Sequence, residues 1–253
     1  MMRSVFKSMV AIPELRDVEL DSPAIIPLRS ALVQRKGFLR RIYIDWYKRL
    51  RAASAPDGPC VEIGSGPGFL KAVLPGVITS DLVRAGTVDV VLSCESMPFA
   101  TGSLSALFLV NVFHHVQHPA RFLQEASRCL RAGGRVIMIE PYNTPWGRLV
   151  WKRLHHEAFE PEAGWELPRN TPLSSANGAL PWIVFGRDRA VFDKAFPSLR
   201  VSRVQPFMPL AYLLSGGVSM RSFAPGLLYP AWRPLEALFD RFGLFAEIHL
   251  TRG

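Results

Sequence analysis

Three regularly spaced glycines are the first residues whose pattern indicates chemistry. Gly64, Gly66 and Gly68 alternate with other residues, and Glu62 lies two residues before the first of them. Glycine has no Cβ and accepts positive φ, so such a loop lets a ligand approach the backbone closely. The apolar run at 60–63 predicts a buried strand, which places Glu62 near the carboxyl end where α/β sheets bind ligands. We therefore predict a ligand-binding turn between a strand and a helix.

A second acidic residue, Asp81, follows the apolar run at 77–80. At the end of a second strand its carboxylate could accept hydrogen bonds from two ribose hydroxyls. A dinucleotide site competes for these features, but its G-x-G-x-x-G fingerprint requires a glycine where this chain has Phe69. Without that glycine, the helix N-terminus is less suited to binding a pyrophosphate. The pattern favours a nucleoside without pyrophosphate, with a nicotinamide dinucleotide as the alternative.

Most of the histidines are candidates for moving a proton in a catalytic step. The candidates are His114, His115, His118, His155 and His156. We select His115, which follows the fourth predicted strand, and His156, which lies in the segment after the fifth. The alternatives are that the 114–115 pair belongs to the scaffold and that 155–156 is a solvated helix end.

Alternating strands and helices must position these residues. Short apolar runs predict strands at 60–63, 77–80, 88–92, 104–112 and 135–140. Helices are predicted at 69–74 and from Pro119 to the Gly133-Gly134 pair, where Pro119 suits a first helical turn. Such alternation implies a parallel sheet covered on both faces by right-handed crossovers, which is an α/β fold.

The flanking segments are less regular. Residues 29–51 carry apolar side chains at three- and four-residue spacing and predict one amphipathic helix. After the fifth strand we predict helices at 146–156, 187–196 and 234–242, and strands at 199–205 and 245–251.

The composition fits one globular domain. The chain has 253 residues, of which 49% are hydrophobic and 20% charged, which excludes a disordered chain. Cys60, Cys94 and Cys129 have no metal-binding spacing, so we expect free thiols in a reducing compartment and no metal. No apolar run approaches the ~20 residues that cross a bilayer, and the start lacks a signal-peptide core. We expect a cytoplasmic protein.

The net charge of +9 is unevenly distributed. Residues 29–51 carry eight basic side chains against Asp45 alone. A local excess of this kind suits an anionic partner such as phospholipid headgroups, a phosphorylated substrate or nucleic acid. The alternative is a solvated helix face.

Taken in order, the motifs between residues 60 and 141 resemble one enzyme family. The pieces are residues 62–69, Asp81, the Glu95-Ser96-Met97-Pro98-Phe99 step, the 111–115 step and the Leu130-Arg131-Ala132-Gly133-Gly134 step. They resemble the class I S-adenosylmethionine-dependent methyltransferases, in the methyltransferase type 11-like group. The resemblance covers about a third of the chain.

This resemblance implies a Rossmann-like, doubly wound, seven-stranded and mostly parallel sheet. It divides the chain into an N-terminal helical cap at 1–55 and the methyltransferase domain at 56–253. Within that domain, 142–181 follows the fifth strand and 206–244 separates the sixth and seventh. These two segments are expected to be substrate-side insertions.

The resemblance also implies S-adenosylmethionine as the cofactor. The residues expected to bind it are Glu62, Gly64, Ser65, Gly66, Gly68, Asp81, Ser93, Cys94, Glu95, Met97 and Asn111. Glu62 would hold the methionine ammonium, Asp81 the ribose, residues 93–95 the adenine edge and the Asn111 backbone the methionine portion. Ser93 departs from the family, which commonly has an acid there, and loses the charge assistance that strengthens a hydrogen bond.

The compound that would accept the methyl group is not specified by any motif. We expect O-methylation of a small, glycan or lipid-linked acceptor. The alternatives are an NAD-dependent oxidoreductase and a non-catalytic S-adenosylmethionine-binding protein. We see no aromatic-rich basic module for nucleic acid, so no nucleic-acid partner is expected. The basic stretch and the apolar insert at 206–244 predict peripheral contact with the inner face of the membrane.

Overall fold

The computed structural model describes residues 12, 25–54, 58–84, 88–155, 157–167 and 175–253. The strands are β1 (Cys60–Ile63), β2 (Ile78–Asp81), β3 (Val90–Val91), β4 (Leu104–Val110), β5 (Leu130–Pro141), β6 (Leu199–Phe207) and β7 (Phe245–Arg252). The helices are α1 (Ile25–Arg35), α2 (Gly37–Ala53), α3 (Pro119–Cys129), α4 (Pro145–Leu154), α5 (Leu180–Trp182), α6 (Arg189–Ala195), α7 (Ala211–Ser215) and α8 (Tyr229–Ala237). Short 3-10 turns occupy Leu70–Ala72, Phe113–His115, Gly226–Leu228 and Asp240–Phe242, and a π-helical turn occupies Ile183–Arg187.

The seven strands form one sheet in the order β3-β2-β1-β4-β5-β7-β6. The pairs from β3 to β5 are parallel, while β7 runs antiparallel to both of its neighbours. The predicted α/β fold with a mostly parallel sheet is therefore confirmed. A dinucleotide-binding sheet has the order 3-2-1-4-5-6, so the inserted β7 distinguishes this fold from it.

Both faces of the sheet are buried. Along β4, Leu107 and Leu109 pack with α3 on one face, whereas Ala106 and Phe108 pack with α2 on the other. A strand covered on both faces needs a nearly continuous apolar run, which explains the composition of Leu104–Val110.

The predicted helix at 29–51 is in fact two helices, α1 and α2, separated at Lys36. The Lys36 side chain is buried, and its ammonium donates hydrogen bonds to the carbonyls of Gly217 and Met220, the latter at 2.7 Å. At this break Lys36 contacts a segment 181 to 184 residues away, which helical periodicity could not reveal. One of the eight basic side chains thus stabilises the interior and is not part of a surface.

Other boundaries also differ from prediction. The helix at 69–74 is reduced to a 3-10 turn. The third helix ends at Cys129 and not at the Gly133-Gly134 pair, because these glycines lie in an irregular part of β5 where the register with β4 shifts. The helix expected to start at Pro234 is α8, which starts five residues earlier and has Pro230 in its first turn.

Helices α4 to α6 lie between β5 and β6, and α7 and α8 lie between β6 and β7. Within the described part of the chain, none of the helices combines the length and the apolar character that crossing a membrane requires.

Candidate functional site

A cavity of about 620 Å³ opens at the carboxyl ends of β1, β2 and β4. Its wall combines the loops after these strands with side chains from α1, α2, α4 and the segment around α7. The predicted site residues that line it are Glu62, Gly64, Ser65, Gly66, Gly68, Asp81, Ser93, Cys94, Glu95, Asn111 and His115. The fold thus brings these residues, which come from distant parts of the chain, together at one cavity.

The three glycines differ in what surrounds them. A Cβ on Gly64 would lie 2.7 Å from a methyl carbon of Val112, and one on Gly68 would lie 2.6 Å from the Tyr47 hydroxyl. At Gly66, where φ is +46°, the nearest atom within the protein would be 3.8 Å away. Gly64 and Gly68 therefore allow close packing within the protein, whereas Gly66 leaves open space in the cavity.

The loop is followed by the 3-10 turn Leu70–Ala72 and not by a full helix. A pyrophosphate bound at the end of a dinucleotide-binding loop depends on the N–H groups and dipole of a helix N-terminus. The local structure therefore offers little for pyrophosphate, which weighs against the dinucleotide alternative.

Glu62 is buried beneath the loop and accepts a hydrogen bond from the Ser65 hydroxyl at 2.9 Å. Burial raises the pKa of Glu62 to about 8, with the Ser65 hydrogen bond opposing this rise and the negative charge of Asp81 adding to it. A buried carboxyl group of this kind gains from a cationic partner, because a nearby positive charge favours the ionised form.

Asp81 closes the opposite side of the loop. Its carboxylate accepts a hydrogen bond from the Gly66 N–H at 2.9 Å. Asp81 also lines the cavity, where its carboxylate can accept further hydrogen bonds.

The stretch at 93–97 forms a tight turn with Ser93 and Ser96 bridged. The Ser93 hydroxyl accepts from the Glu95 N–H at 3.2 Å, and the Glu95 carboxylate accepts from the His118 N–H at 2.9 Å. Met97 is not among the described residues that line the cavity. Its apolar side chain packs in the core beside the turn, and its N–H donates to the Glu125 carboxylate at 2.7 Å.

Asn111 lies where β4 ends and has a φ of +57°. Its N–H donates to the carbonyl of Ile139 at 2.9 Å. Asparagine tolerates this left-handed conformation better than most residues, and the turn directs the following segment across the cavity.

His114 and His115 occupy the 3-10 turn after β4 but have different surroundings. His114 is buried, and its Nδ1 lies 2.7 Å from Glu140 Oε2. Glu140 also accepts from the N–H groups of Val112 and Phe113, both at 2.8 Å. Burial disfavours the charged imidazole, but Glu140 and Glu157 outweigh it and raise the pKa of His114 to about 9. His114 is thus a charged residue that stabilises the turn.

Of the two adjacent histidines, His115 is the one whose Nε2 keeps a lone pair. Its Nδ1 lies 3.0 Å from the carbonyl oxygen of Ser175, which can only accept, so Nδ1 carries the proton and Nε2 does not. Nε2 lies 3.8 Å from Glu157 Oε1. Burial, followed by the positive charge of His114, lowers the pKa of His115 to about 4. His156, the other predicted base, lies outside the described residues.

Glu157 was not selected from the sequence, although it lines the cavity beside both histidines. Burial would raise the pKa of Glu157, but the hydrogen bond and charge of His114 hold it well below its ordinary value. The signal available in the sequence was an acid directly after the 155–156 histidine pair.

An aromatic wall, which we define as Tyr43, Tyr47, Trp151, Tyr212 and Phe245, also lines the cavity. The Tyr212 and Phe245 rings are 4.9 Å apart, and the Tyr47 hydroxyl accepts from the Phe69 N–H at 2.9 Å. The three- and four-residue spacing at 29–51, which includes Tyr43, predicted the apolar face of a helix. It gave no sign that this face also borders a ligand cavity.

Residues 61–138 match a family model described as a methyltransferase domain. Among curated proteins, no sequence matches this chain.

Several solved structures share the fold. A Thermotoga maritima protein described as a possible histamine N-methyltransferase is 19% identical, with a TM-score of 0.55 over 90% of this chain and 99% of that chain. A chain from the Haloferax volcanii complex of the Trm112 methyltransferase activator with a proposed methyltransferase is 15% identical, with a TM-score of 0.54 over 92% and 97%. Geranyl diphosphate C-methyltransferase from Streptomyces coelicolor, solved with Mg²⁺, geranyl diphosphate and S-adenosyl-L-homocysteine, is 14% identical, with a TM-score of 0.50 over 85% and 80%. At these identities the likeness establishes the fold.

Proposed function

We propose that this chain is a class I S-adenosylmethionine-dependent methyltransferase and that it methylates a hydroxyl group of an acceptor bound between the glycine loop and His115; the match of residues 61–138 to a methyltransferase-domain model supports the first part. The observation that carries this proposal is the His115 Nε2 lone pair, held at the cavity by the Ser175 carbonyl and facing Glu157. An oxygen acceptor needs a group that takes its proton.

The residues at the glycine loop fit S-adenosylmethionine. Buried Glu62 suits the ammonium group, the open space at Gly66 suits a ligand along the loop, and Asp81 suits the ribose hydroxyls. The turn at 93–95 and the Asn111 backbone complete the proposed contacts. Bound there, the cofactor supplies an electrophilic methyl group on a sulfonium.

His115 would act as the base. Its imidazole is neutral near pH 7, so Nε2 would take the proton of the acceptor hydroxyl when the methyl group passes from the cofactor sulfur to the oxygen, with S-adenosylhomocysteine as the leaving product. Glu157 Oε1, 3.8 Å from the same Nε2, would then stabilise the imidazolium. The Ser175 carbonyl at Nδ1 would fix the tautomer, which in a catalytic triad is done by the acid. Glu140 holds His114 and the backbone of the turn, and so fixes the position of His115.

The aromatic wall favours an acceptor with an apolar part. Alignment and removal of water from the reacting pair supply much of the rate in such displacements. Aromatic rings on α2, α4, α7 and β7 would exclude water around the acceptor. This supports a small apolar or lipid-linked acceptor over an unmodified glycan.

Calorimetric titration with S-adenosylhomocysteine and with NAD tests the cofactor. Micromolar binding of S-adenosylhomocysteine without NAD binding is expected, and the reverse result would favour an oxidoreductase. Mass spectrometry of phenols, hydroxylated lipids and glycosides incubated with S-adenosylmethionine then tests the reaction. An increase of one methyl group is expected on an apolar hydroxylated compound. Cofactor binding without any product would favour the non-catalytic alternative.

We further propose that the enzyme acts at the inner face of a membrane. Large apolar side chains are exposed in the insert between β6 and β7, with Leu238 exposed by 77% and Leu227 by 73%. The others in the insert include Phe223, Leu228, Leu235, Phe239 and Phe242. Helix α2, which packs against Gly226–Leu228 and α8, exposes Arg40, Arg41, Lys48 and Arg51. Apolar and basic groups on neighbouring elements suit an anionic bilayer, at about 1 kcal/mol per basic residue.

Co-sedimentation with vesicles containing phosphatidylserine tests this location. Binding that weakens at high salt is expected, and the double variant Leu238→Ser with Phe239→Ser should bind at least about tenfold more weakly, because it loses apolar burial. Val191→Ser, which changes an exposed valine on α6, is the matched control. Absence of binding even at low salt would contradict the membrane location.

A further inference from the structure

We propose that His114, His115 and Glu157 together bind a divalent transition-metal ion in the part of the cavity that is lined by the turn after β4. His114 Nε2 lies 3.4 Å from Glu157 Oε2, and His115 Nε2 lies 3.8 Å from Glu157 Oε1. One ligand atom from each residue lies within 4.8 Å of the other two. Ligands at ~2.1 Å in a tetrahedral zinc site are about 3.4 Å apart. The two short distances involve different oxygens of Glu157, so the three side chains lie somewhat farther apart than in such a site and would close around an ion.

The outer nitrogens of both histidines support this assignment. His114 Nδ1 is held by Glu140 Oε2 at 2.7 Å, and His115 Nδ1 by the Ser175 carbonyl at 3.0 Å. Metal-binding histidines almost always donate their other ring N–H to a carboxylate or a backbone carbonyl, which orients the ring. Here two independent acceptors turn two Nε2 atoms toward the same carboxylate. A simple salt bridge between Glu157 and one histidine would need only one of these two oriented rings. Because His114 is charged in the metal-free protein, the ion would displace the proton from its Nε2 and release it to solvent.

The ligand set also indicates the type of ion. Two imidazoles and one carboxylate suit Zn²⁺, Co²⁺ or Ni²⁺, whereas Mg²⁺ and Ca²⁺ prefer oxygen ligands. Three protein ligands leave a fourth position for water or an acceptor oxygen. His155 Nδ1, at 3.5 Å from Glu157 Oε2, is a further nitrogen beside the cluster.

This inference goes beyond the proposed function and constrains it at one point. An ion at this position would occupy the Nε2 lone pair that His115 needs as a base. The metal-bound protein is therefore expected to bind S-adenosylhomocysteine normally but to lose methyl transfer until a chelator removes the ion.

Titration of the protein with Co²⁺ tests the site directly, without cofactor or acceptor and on a chain without a histidine tag. We expect one equivalent to bind with micromolar affinity or better, with the visible absorption of four-coordinate Co²⁺, and Zn²⁺ to displace it. His115→Ala and Glu157→Gln should each weaken binding at least tenfold. His118→Ala, which removes a histidine paired with Glu166 away from the cluster, should bind Co²⁺ like the unchanged chain.

S-adenosylhomocysteine binding by each variant reports whether it has folded. A folded protein without saturable Co²⁺ binding, or equal affinity in folded His115→Ala, would overturn the metal site and leave the methyltransferase proposal intact. Conversely, Co²⁺ binding in a protein that methylates no acceptor would support the site and count only against the proposed function.

Discussion

The Gly66 N–H donates a hydrogen bond to the Asp81 carboxylate at 2.9 Å, which connects the loop after β1 to the end of β2. Both residues belong to the proposed cofactor site. A change at either one is therefore expected to affect the other, and substitutions must be chosen to separate the two effects.

Gly66→Val is expected to abolish S-adenosylhomocysteine binding, because its side chain would enter the open space in the cavity. The positive φ of +46° adds backbone strain of about 1–2 kcal/mol. Gly102→Val is the matched control, since Gly102 has a φ of +68° and no atom near its Cβ position. Calorimetry and thermal unfolding should show similar destabilisation in both variants, with binding lost only at position 66. Unchanged affinity in Gly66→Val would contradict the proposed cofactor position.

Asp81→Ala is expected to weaken S-adenosylhomocysteine binding about 10- to 100-fold, because a hydrogen bond to a charged group contributes roughly 1.5–3 kcal/mol. Asp89→Ala is the control. Asp89 accepts from Thr79 and Lys71 and does not line the cavity, so its loss should affect stability and not affinity. Should Asp81→Ala bind within twofold of the unchanged chain, the ribose contact must lie elsewhere.

The cofactor-free protein is expected to lose stability as the pH rises from about 5 to 8, because of Glu62. Below pH 4.5 the carboxyl group is protonated in both the folded and unfolded chains. Between pH 4.5 and 8 the folded chain keeps a proton that the unfolded chain has lost, so unfolding becomes more favourable. Each unit of pKa difference corresponds to about 1.4 kcal/mol, which makes the effect a few kcal/mol.

Urea unfolding at several pH values measures this dependence. Glu62→Gln should remove most of it, leaving the variant more stable than the unchanged chain at pH 8.5 but a weaker binder of S-adenosylhomocysteine. If both proteins have the same pH dependence, Glu62 ionises normally in the folded chain.

His115→Ala is expected to lower turnover at least about 100-fold with little change in cofactor affinity, as for a residue that acts on the reacting proton. Glu140→Gln is expected to act differently, because it disturbs the buried contact between His114 and Glu140 and the backbone hydrogen bonds of the turn. It should destabilise the protein by about 1–3 kcal/mol. Kinetics on an identified acceptor, together with thermal unfolding, separate the two. Loss of stability in His115→Ala equal to that in Glu140→Gln would indicate a scaffold role.

The local sequence was sufficient to predict the parallel strands and the glycine loop. Strand runs such as that in β4 and the spacing of Gly64, Gly66 and Gly68 depend on neighbouring residues, so they can be recognised without knowledge of distant contacts. The same holds for Asp81, whose place after an apolar run put it at the correct edge of the sheet. The ends of α3 and α8 were misjudged because glycine and proline suit several local structures.

The roles of the adjacent histidines were decided by the tertiary structure. Nothing in the sequence distinguishes His114 from His115, since burial and the approach of Glu140, Glu157 and Ser175 set their protonation. Burial changes the free energy of a charge through everything that surrounds it, and those surroundings come from segments distant in the chain. The break at Lys36 and the aromatic wall have the same origin. The sequence by itself determined the fold and most of the residues that line the cavity at the carboxyl ends of β1, β2 and β4, because these follow from local patterns. Only the tertiary structure determined which side chain can take a proton, because that depends on the groups that folding brings into contact.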